Sequence, residues 1–374
     1  MLRIRLILYA MLIFVHTNAQ EIKNNMPHYV DKMLQKHDYA LKPEGFRSTK
    51  QWKKQARKVL FDAVGKQLPD TALTYQITDT EKRDGYSVNK ITYTLSSWHQ
   101  GKAYLLIPDG CEKAPAMLML HDHGAHFTIG KEKLVRPVGV DSILINDAEQ
   151  WVTRYYNGVF LADEYARRGY VVLVADALLW GERQVEGGTK YADQQAIAHG
   201  MMKLGYSLGG MMLQDDMRAL QLLCSLPCVD KERVGCMGFS MGAYRAWMLS
   251  AAMPQIKATA AICWMTTMES QMTPPHKPKG GSDYSMFIPD LNMQLDYPHI
   301  AAMISPRALL LINGREDKLF AKEGVEQAYA IIQRVYEREN AQQYLTTEWW
   351  DEAHCFNKNQ QKATKEFFLR YLGL

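Results

Sequence analysis

The sequence is poor in cysteine, in net charge and in long apolar runs, and each shortage removes a class of protein. Six cysteines in 374 residues, at positions 111, 224, 228, 236, 263 and 355, are scattered through apolar segments rather than laid out as a disulfide framework, and they read as buried small hydrophobes. Cys224 and Cys228 are four apart on a predicted helix, where the Cβ directions would strain a bridge, so no pairing is expected there. A formal charge of +4, lower still once a leader with Arg3 and Arg5 is removed, lacks the basic excess of a nucleic-acid binder, and no such partner is expected. The apolar run Leu6 to Val15 is shorter than the roughly 20 residues that span a bilayer, and no second run is long enough either. With Arg3 and Arg5 before it and Thr17-Asn18-Ala19 after it, this run has the layout of a cleavable secretory signal. Residues 1–19 are therefore expected to be removed, leaving a periplasmic or extracellular chain that begins near Gln20 without stable membrane insertion. Internal repeats and low-complexity tracts are missing as well.

What is present suits a single large unit with attached segments. Residues 20–70 are expected to form a helical arm: Ser48-Thr49-Lys50-Gln51 has capping-box spacing, and Trp52, Ala56, Val59, Leu60 and Ala63 follow helical periodicity up to Gly65. Residues 71–374 are expected to form the main domain. Eight strand-like apolar runs recur there: Ile91 to Leu95, Ala103 to Ile107, Ala116 to Leu120, Tyr170 to Ala175, Val234 to Phe239, Ala258 to Cys263, Ala308 to Ile312 and Tyr344 to Trp349. Short turns join the first three, whereas the later ones alternate with helical segments such as Val159 to Arg168, Leu213 to Leu226, Gly242 to Met253 and Val325 to Arg338. Such alternation predicts an α/β fold, a mostly parallel eight-stranded sheet with helices on both faces. Two stretches, about 178–210 and 265–306, fall outside the alternation and read as binding loops or lids.

Gly238-Phe239-Ser240-Met241-Gly242 fits G-x-S-x-G, in which a serine occupies a strained strand-to-helix turn with no room for side chains beside it. The pattern alone is weak, because Gly205-Tyr206-Ser207-Leu208-Gly209 repeats it. Context separates the two. Ser240 follows an apolar strand and precedes a helix, while Ala198 to Leu204, ahead of Ser207, contains His199, Gly200 and Lys203. Ser207 reads as a structural residue near a helix start, bonded to local backbone. A serine nucleophile needs a base and an acid, and the chain order Ser, acid, His is met by Asp317 after the run ending at Ile312 and by His354 after the run ending at Trp349. Glu316 could replace Asp317, but it is one residue nearer the strand and would point elsewhere. The oxyanion donors would be the amide of Met241 and one from His121-Asp122-His123-Gly124, either His123 or Gly124.

His121, His123 and His126 also form H-x-H-x-x-H, which resembles the zinc signature of metallo-β-lactamase-type hydrolases. That signature has an aspartate before the third histidine, where Ala125 stands, and zinc would leave the placement of Ser240, Asp317 and His354 without a purpose. No metal and no cofactor is therefore required.

The chain resembles the α/β-hydrolase branch of dienelactone-hydrolase-like and acetyl xylan esterase-like secreted bacterial enzymes over most of residues 45 to 374. The resemblance is carried by Asp215 to Leu220, Leu226 to Gly235 and the Ser240 elbow. Leu118 to Gly124, Trp180-Gly181-Glu182-Arg183, Ser305 to Leu310, Asn313 to Asp317 and Glu352 to Phe356 add to it. Asp122 stands where many relatives have glycine, and Met241 where acetyl xylan esterases carry a polar residue. Asp216 and Arg218 read as structural charges; Glu182 and Arg183 fit scaffold and pocket equally well.

The resemblance implies an exported serine esterase that removes short acyl groups, acetyl first, from carbohydrate. A uronic acid methylesterase, a serine exopeptidase of the same fold, and a non-catalytic glycan-binding protein with a decayed site are the alternatives. The expected partner is a small ester or an acylated glycan, and the oligomeric state is left open. Trp180, Trp264 and Trp349, with Trp350, fall at strand ends or adjoining loops and are candidates for stacking on a sugar face.

Overall fold

The structure is a computed structural model that describes residues 32–34, 36–64, 71–272 and 283–374. The expected leader, 1–19, and the new terminus near Gln20 lie outside the described residues. Leu41–Leu374 form one compact unit.

Each of the eight apolar runs is a strand, and a ninth strand precedes them. β1 (Tyr75–Arg83), β2 (Tyr86–Ser96), β3 (His99–Pro108), β4 (Ala114–Leu120), β5 (Val171–Ala175), β6 (Val229–Phe239), β7 (Ala258–Ile262), β8 (Ala308–Gly314) and β9 (Leu345–Trp350) form one sheet in the order β1-β2-β3-β5-β4-β6-β7-β8-β9. β1, β2, β3 and β5 pair antiparallel in succession. From β5 through β4 to β9 every pairing is parallel. The sheet is thus nine-stranded rather than eight-stranded. β1 escapes sequence analysis because it is an edge strand whose side chains are exposed from Tyr75 to Lys82, so it has no buried face to impose an alternation of apolar residues.

The central strands are buried on both faces, which explains their continuous apolar runs. Alternate residues serve two cores: Leu118, Leu120, Leu173 and Cys236 belong to one, and Met117, Met119, Val172, Val174, Met237 and Phe239 to the other. The helices that cover them are α1 (Thr49–Val64), α2 (Ser142–Tyr156), α3 (Leu161–Arg167), α4 (Tyr191–Lys203), α5 (Leu208–Ser225), α6 (Met241–Ala252), α7 (Met268–Met272), α8 (Pro289–Asn292), α9 (Tyr297–Ala302), α10 (Lys322–Arg338) and α11 (Lys358–Leu372). α1 buries Trp52, Ala56, Leu60 and Val64, and Lys53 binds Glu339 at 2.6 Å, so this helix is integral to the compact unit. The stretch 178–210 is not all irregular: it holds α4, and α5 starts at Leu208, five residues earlier than the periodicity suggests. Within 265–306, α7, α8 and α9 are short helices, and residues 273–282 lie outside the described part.

β4 sits between β5 and β6, so the chain leaves it to one side and later passes to the other. In open α/β sheets the crevice at the carboxyl ends of strands around such a reversal is where ligands bind. The loops after β4 and β6 carry His121 to Gly124 and Ser240.

Candidate active site

Ser240 joins β6 to α6 with φ +56° and ψ −125°, a backbone conformation that costs a non-glycine residue free energy and is held only by its surroundings. The amide of Ser240 donates to the Ile262 carbonyl at 2.8 Å, and the Ala243 amide to the Ser240 carbonyl at 2.8 Å. Both flanking glycines are obligatory. A Cβ on Gly238 would lie 2.2 Å from the Gly242 backbone, and one on Gly242 would lie 1.9 Å from the Leu120 carbonyl oxygen. The elbow is thereby pressed onto the end of β4, which brings the loop after β4 beside the serine.

Asp317 and His354 come from loops bound to one another. The Arg315 amide donates to the Trp350 carbonyl at 2.7 Å and the Glu316 amide to the Glu352 carbonyl at 3.1 Å. Gly314 allows this approach, since a Cβ there would lie 2.2 Å from the Glu352 carbonyl oxygen. His354 Nδ1–H donates to Asp317 Oδ2 at 2.6 Å, and the Ser240 hydroxyl donates to His354 Nε2 at 2.8 Å. The Asp317 carboxylate is fully buried, while the His354 ring is 21 % exposed. Asp317 Oδ1 accepts from the Leu319 amide at 2.9 Å, which fixes the carboxylate plane. Phe239 packs on the imidazole with ring centres 4.8 Å apart. An imidazole held in this tautomer can take the hydroxyl proton and share the resulting charge with the carboxylate. The three residues singled out in the sequence are thus in one hydrogen-bonded chain, whereas Glu316 is exposed. Ser207 caps α5 by accepting from the Gly210 amide at 3.1 Å.

Cys263 adjoins this group, its sulfur lying within 4.8 Å of the ligand atoms of Asp317 and His354. Both nitrogens of His354 are already engaged. Burial pushes the Cys263 thiol well up, with the Asp317 and Cys355 charges adding to it, so a neutral thiol packs behind the acid–base pair.

The three histidines after β4 do not converge. His121 Nε2 accepts from the Ala177 amide at 3.0 Å, so its Nδ1–H donates to the Asp122 carbonyl at 2.9 Å. His123 Nδ1 accepts from the Ala125 amide at 2.9 Å, leaving Nε2–H to donate to Gln194 Oε1 at 3.0 Å. His126 turns to Asp147 at 2.8 Å. No free lone pair is left on His121 or His123 for a metal ion. The loop they brace includes Gly124, which is exposed, and it begins beside the elbow, where a Cβ on Gly242 would lie 3.0 Å from the His121 carbonyl oxygen.

Burial pulls the His123 pKa down to about 4, the Gln194 contact opposing it. The folded state therefore holds this imidazole neutral, while the unfolded chain takes up a proton below about 6.5. Its contribution to stability is complete above that value and is lost as the pH falls towards about 4. The melting temperature of the wild type minus that of His123→Gln should accordingly shrink as the pH is lowered from about 7 to about 4.5. A difference that is flat, or that grows on acidification, would contradict the buried neutral histidine.

The tryptophans proposed for sugar stacking require correction. Trp180 is fully buried, donates from Nε1 to the His123 carbonyl at 3.2 Å and packs against His123 and Phe127. Trp264 is 3 % exposed, within a cluster of Tyr244, Trp247, Tyr297 and Phe320. Neither offers an open face. Trp349 is half-buried against Tyr329, and Trp350 donates to Glu348 at 2.8 Å. Glu182 and Arg183 belong to the scaffold, the first paired with Lys131 at 2.8 Å and Lys90 at 3.2 Å, the second with Asp215 at 2.7 Å. Asp216 holds Arg245 of α6 at 2.6 Å.

Sequence analysis did not single out α2, which supplies the aromatic surface beside the site. Trp151 is the side chain nearest to Gly124, in the direction a Cβ there would take. Its ring is stacked on His126 at 5.0 Å and lies 4.5 Å from Tyr155. The Tyr155 carbonyl accepts from the amide of Phe356, two residues after His354, at 2.9 Å. The signal was available: Asp141 as N-cap, then Trp151 and Tyr155 one helical turn apart.

Among the described residues, no helix is long and apolar enough to cross a membrane. The model of the Abhydrolase family matches residues 19–365. The Bacillus subtilis (strain 168) protein YtaP, provisionally named a hydrolase, is 27 % identical over 287 residues, 76 % of this chain and 88 % of its own. A Bacteroides fragilis NCTC 9343 crystal structure, provisionally named an acetyl xylan esterase, is similar with a TM-score of 0.68 and 20 % identity, covering 86 % of this chain and 81 % of that one. A glucuronoyl esterase from Solibacter usitatus is similar with a TM-score of 0.61 and 14 % identity over 86 % of this chain and 93 % of its own. With the family matched over nearly its whole length, the chain belongs to the Abhydrolase family and is a hydrolase of the α/β-hydrolase fold.

Proposed function

We propose that this hydrolase is a carbohydrate esterase that removes short acyl groups, acetyl foremost, through Ser240, His354 and Asp317. The observation that carries the reading is the unbroken chain from the Ser240 hydroxyl through His354 to buried Asp317, at 2.8 and 2.6 Å. Ser240 attacks the ester carbonyl as His354 takes its proton, and Asp317 stabilises the imidazolium. The alkoxide of the sugar leaves with that proton, and a water activated by His354 then hydrolyses the acyl-enzyme. The amides of Met241 and of His123 or Gly124 receive the charge on the carbonyl oxygen. A binding protein with a decayed site would have no need to keep this geometry.

The sugar side of the substrate is assigned to Tyr155, a half-buried ring beside the site that suits the apolar face of a pyranose, whereas His126 and Lys133 occupy the faces of Trp151. Similarity to a glucuronoyl esterase favours a second substrate, the methyl ester of a uronic acid, in which the sugar lies on the acyl side. A panel of acetyl, octanoyl and methyl esters separates these. Acetyl esters are expected to turn over fastest, with acetate released from acetylated oligosaccharide, and Tyr155→Ala to raise KM for the oligosaccharide but not for a small aryl acetate. Preference for octanoyl esters, with neither acetate nor methanol released from any glycan, would overturn the carbohydrate reading.

We also infer export, from Arg3, Arg5 and the apolar run to Val15. N-terminal sequencing of the fractionated protein should begin near Gln20, and a peptide that retains Arg3 and Arg5 would refute it.

A further inference from the structure

The loop that would supply the second oxyanion amide is gripped from behind by a buried ammonium group. Lys133 is fully buried, and its Nζ donates to two successive carbonyls, of Asp122 at 3.0 Å and of His123 at 3.0 Å. Each carbonyl has a further donor: His121 Nδ1–H reaches Asp122 at 2.9 Å, and Trp180 Nε1–H at 3.2 Å and the His126 amide at 3.4 Å reach His123. In a trans peptide the carbonyl and the following N–H point in opposite directions. Holding the Asp122 carbonyl therefore turns the His123 N–H away from Lys133, and holding the His123 carbonyl does the same for the Gly124 N–H.

We propose that Lys133 is the positioning residue of the oxyanion site, setting the direction of the His123 and Gly124 amides and polarising both peptides so that they donate more strongly. The inference rests on the esterase reading given above. Lys133 touches no substrate; it acts through the two peptides. Its own place is fixed on several sides. It ends the short turn Lys131–Lys133, in which the Lys131 amide donates to Asp176 Oδ1 at 2.8 Å and Lys131 Nζ binds Asp176 at 2.8 Å. Its charge lies 3.4 Å from Asp122 Oδ2 and 4.7 Å from the centre of the Trp151 ring. Asp122 is in turn held by the Tyr156 hydroxyl at 2.6 Å. This arrangement gives Asp122, where many similar enzymes have glycine, a purpose: it is the counter-charge that lets an ammonium remain buried behind the loop.

A positive charge behind the two peptides strengthens whichever of their N–H groups meets the reacting oxygen at the moment the oxyanion forms, and little before it. The effect should therefore fall on kcat and leave KM nearly unchanged. The test compares wild type, Lys133→Met and Trp180→Phe with 4-nitrophenyl acetate as substrate and phenyl trifluoromethyl ketone as a probe that forms a tetrahedral oxyanion on the serine, with melting curves to establish folding. Lys133→Met is expected to lose about 10²-fold in kcat, the scale of one oxyanion donor, and to bind the ketone more weakly by a similar factor. Trp180→Phe, which removes the indole donor to the His123 carbonyl and leaves Lys133 Nζ and the His126 amide on it, should lose about tenfold in both readouts with KM unchanged. A folded Lys133→Met with wild-type kcat, or one whose ketone affinity stays constant while kcat falls, would overturn the proposal. If Lys133→Met does not fold, Trp180→Phe decides by the same two readouts. Ser240→Ala separates this failure from that of the esterase reading: activity that survives the loss of Ser240 removes the reading itself, whereas dependence on Ser240 with indifference to Lys133 removes only this inference.

Discussion

Ser240→Ala is expected to lower kcat by about 10³- to 10⁶-fold, the span seen when one member of a cooperating triad is lost. Ser207→Ala should keep most of the activity. The two serines sit in the same five-residue pattern, and their surroundings give them opposite consequences. Removing the Ser240 hydroxyl leaves His354 Nε2 with nothing to deprotonate and no atom to carry the acyl group. The residual rate is then that of water held near the oxyanion amides. Removing the Ser207 hydroxyl costs a helix cap, the bond to the Gly210 amide, worth about 1 kcal/mol of stability. The expected signature is thus a lost rate at an unchanged melting point for Ser240→Ala, and a lowered melting point at a nearly unchanged rate for Ser207→Ala. Labelling by a fluorophosphonate that persists in Ser240→Ala and vanishes in Ser207→Ala would reverse the assignment.

How far the site could be read from the sequence follows from how local its requirements are. The elbow is legible because its demands are met within five residues: a serine at φ +56° between two glycines whose Cβ atoms would collide with backbone. Asp317 and His354 are legible through chain order, since each must follow its own strand for the two loops to meet. The tryptophans were not. A residue type shows that a ring is apolar, and only the path of the loop shows whether a second layer covers it. After β5 the chain folds back so that Trp180 lies beneath the histidine loop, and Trp264 is closed in by Tyr297 of α9 and by Phe320. Trp151 and Tyr155 stayed hidden for the converse reason: one helical turn of spacing indicates a shared face, but not that the face borders Gly124.

Charge carried information that was only half readable. Asp216 and Arg218 look structural from their place on a helix, and Asp216 does hold Arg245 at 2.6 Å. Nothing in Lys131-Glu132-Lys133 announces that all three are buried, because a run of charges ordinarily lies on a solvated surface. Burial becomes possible because Asp176, from the end of β5, and Asp122, from the end of β4, face the two lysines, while Glu132 pairs with Lys131 at 2.7 Å. The carboxyl ends of β4 and β6 bracket the reversal of strand order, so the charges buried behind the loop after β4 lie on the same side of the sheet as Ser240.

Asp317→Asn is expected to lower kcat by about 10⁴-fold while leaving the fold intact, as the loss of the orienting carboxylate does in the serine hydrolase template. The Asp317 carboxylate accepts from the Leu319 amide through Oδ1 and from His354 through Oδ2. In the asparagine variant the amide oxygen keeps the Leu319 N–H, because the amide NH2 cannot accept it, and the NH2 group must then face His354. Nδ1 becomes the acceptor and the proton moves to Nε2, which now presents an N–H to Ser240 and has no lone pair for its proton. The imidazole is in place and useless as a base. Glu316→Gln is the control, since Glu316 is exposed and its contribution to the loop is a backbone amide bonded to the Glu352 carbonyl, which the substitution leaves alone; its rate should stay within about twofold of wild type. Steady-state rates with an aryl acetate at neutral pH, read beside melting curves, give the comparison. An Asp317→Asn variant that keeps more than a tenth of the activity, or a Glu316→Gln variant that loses as much as Asp317→Asn, would transfer the orienting role from Asp317 to its neighbour.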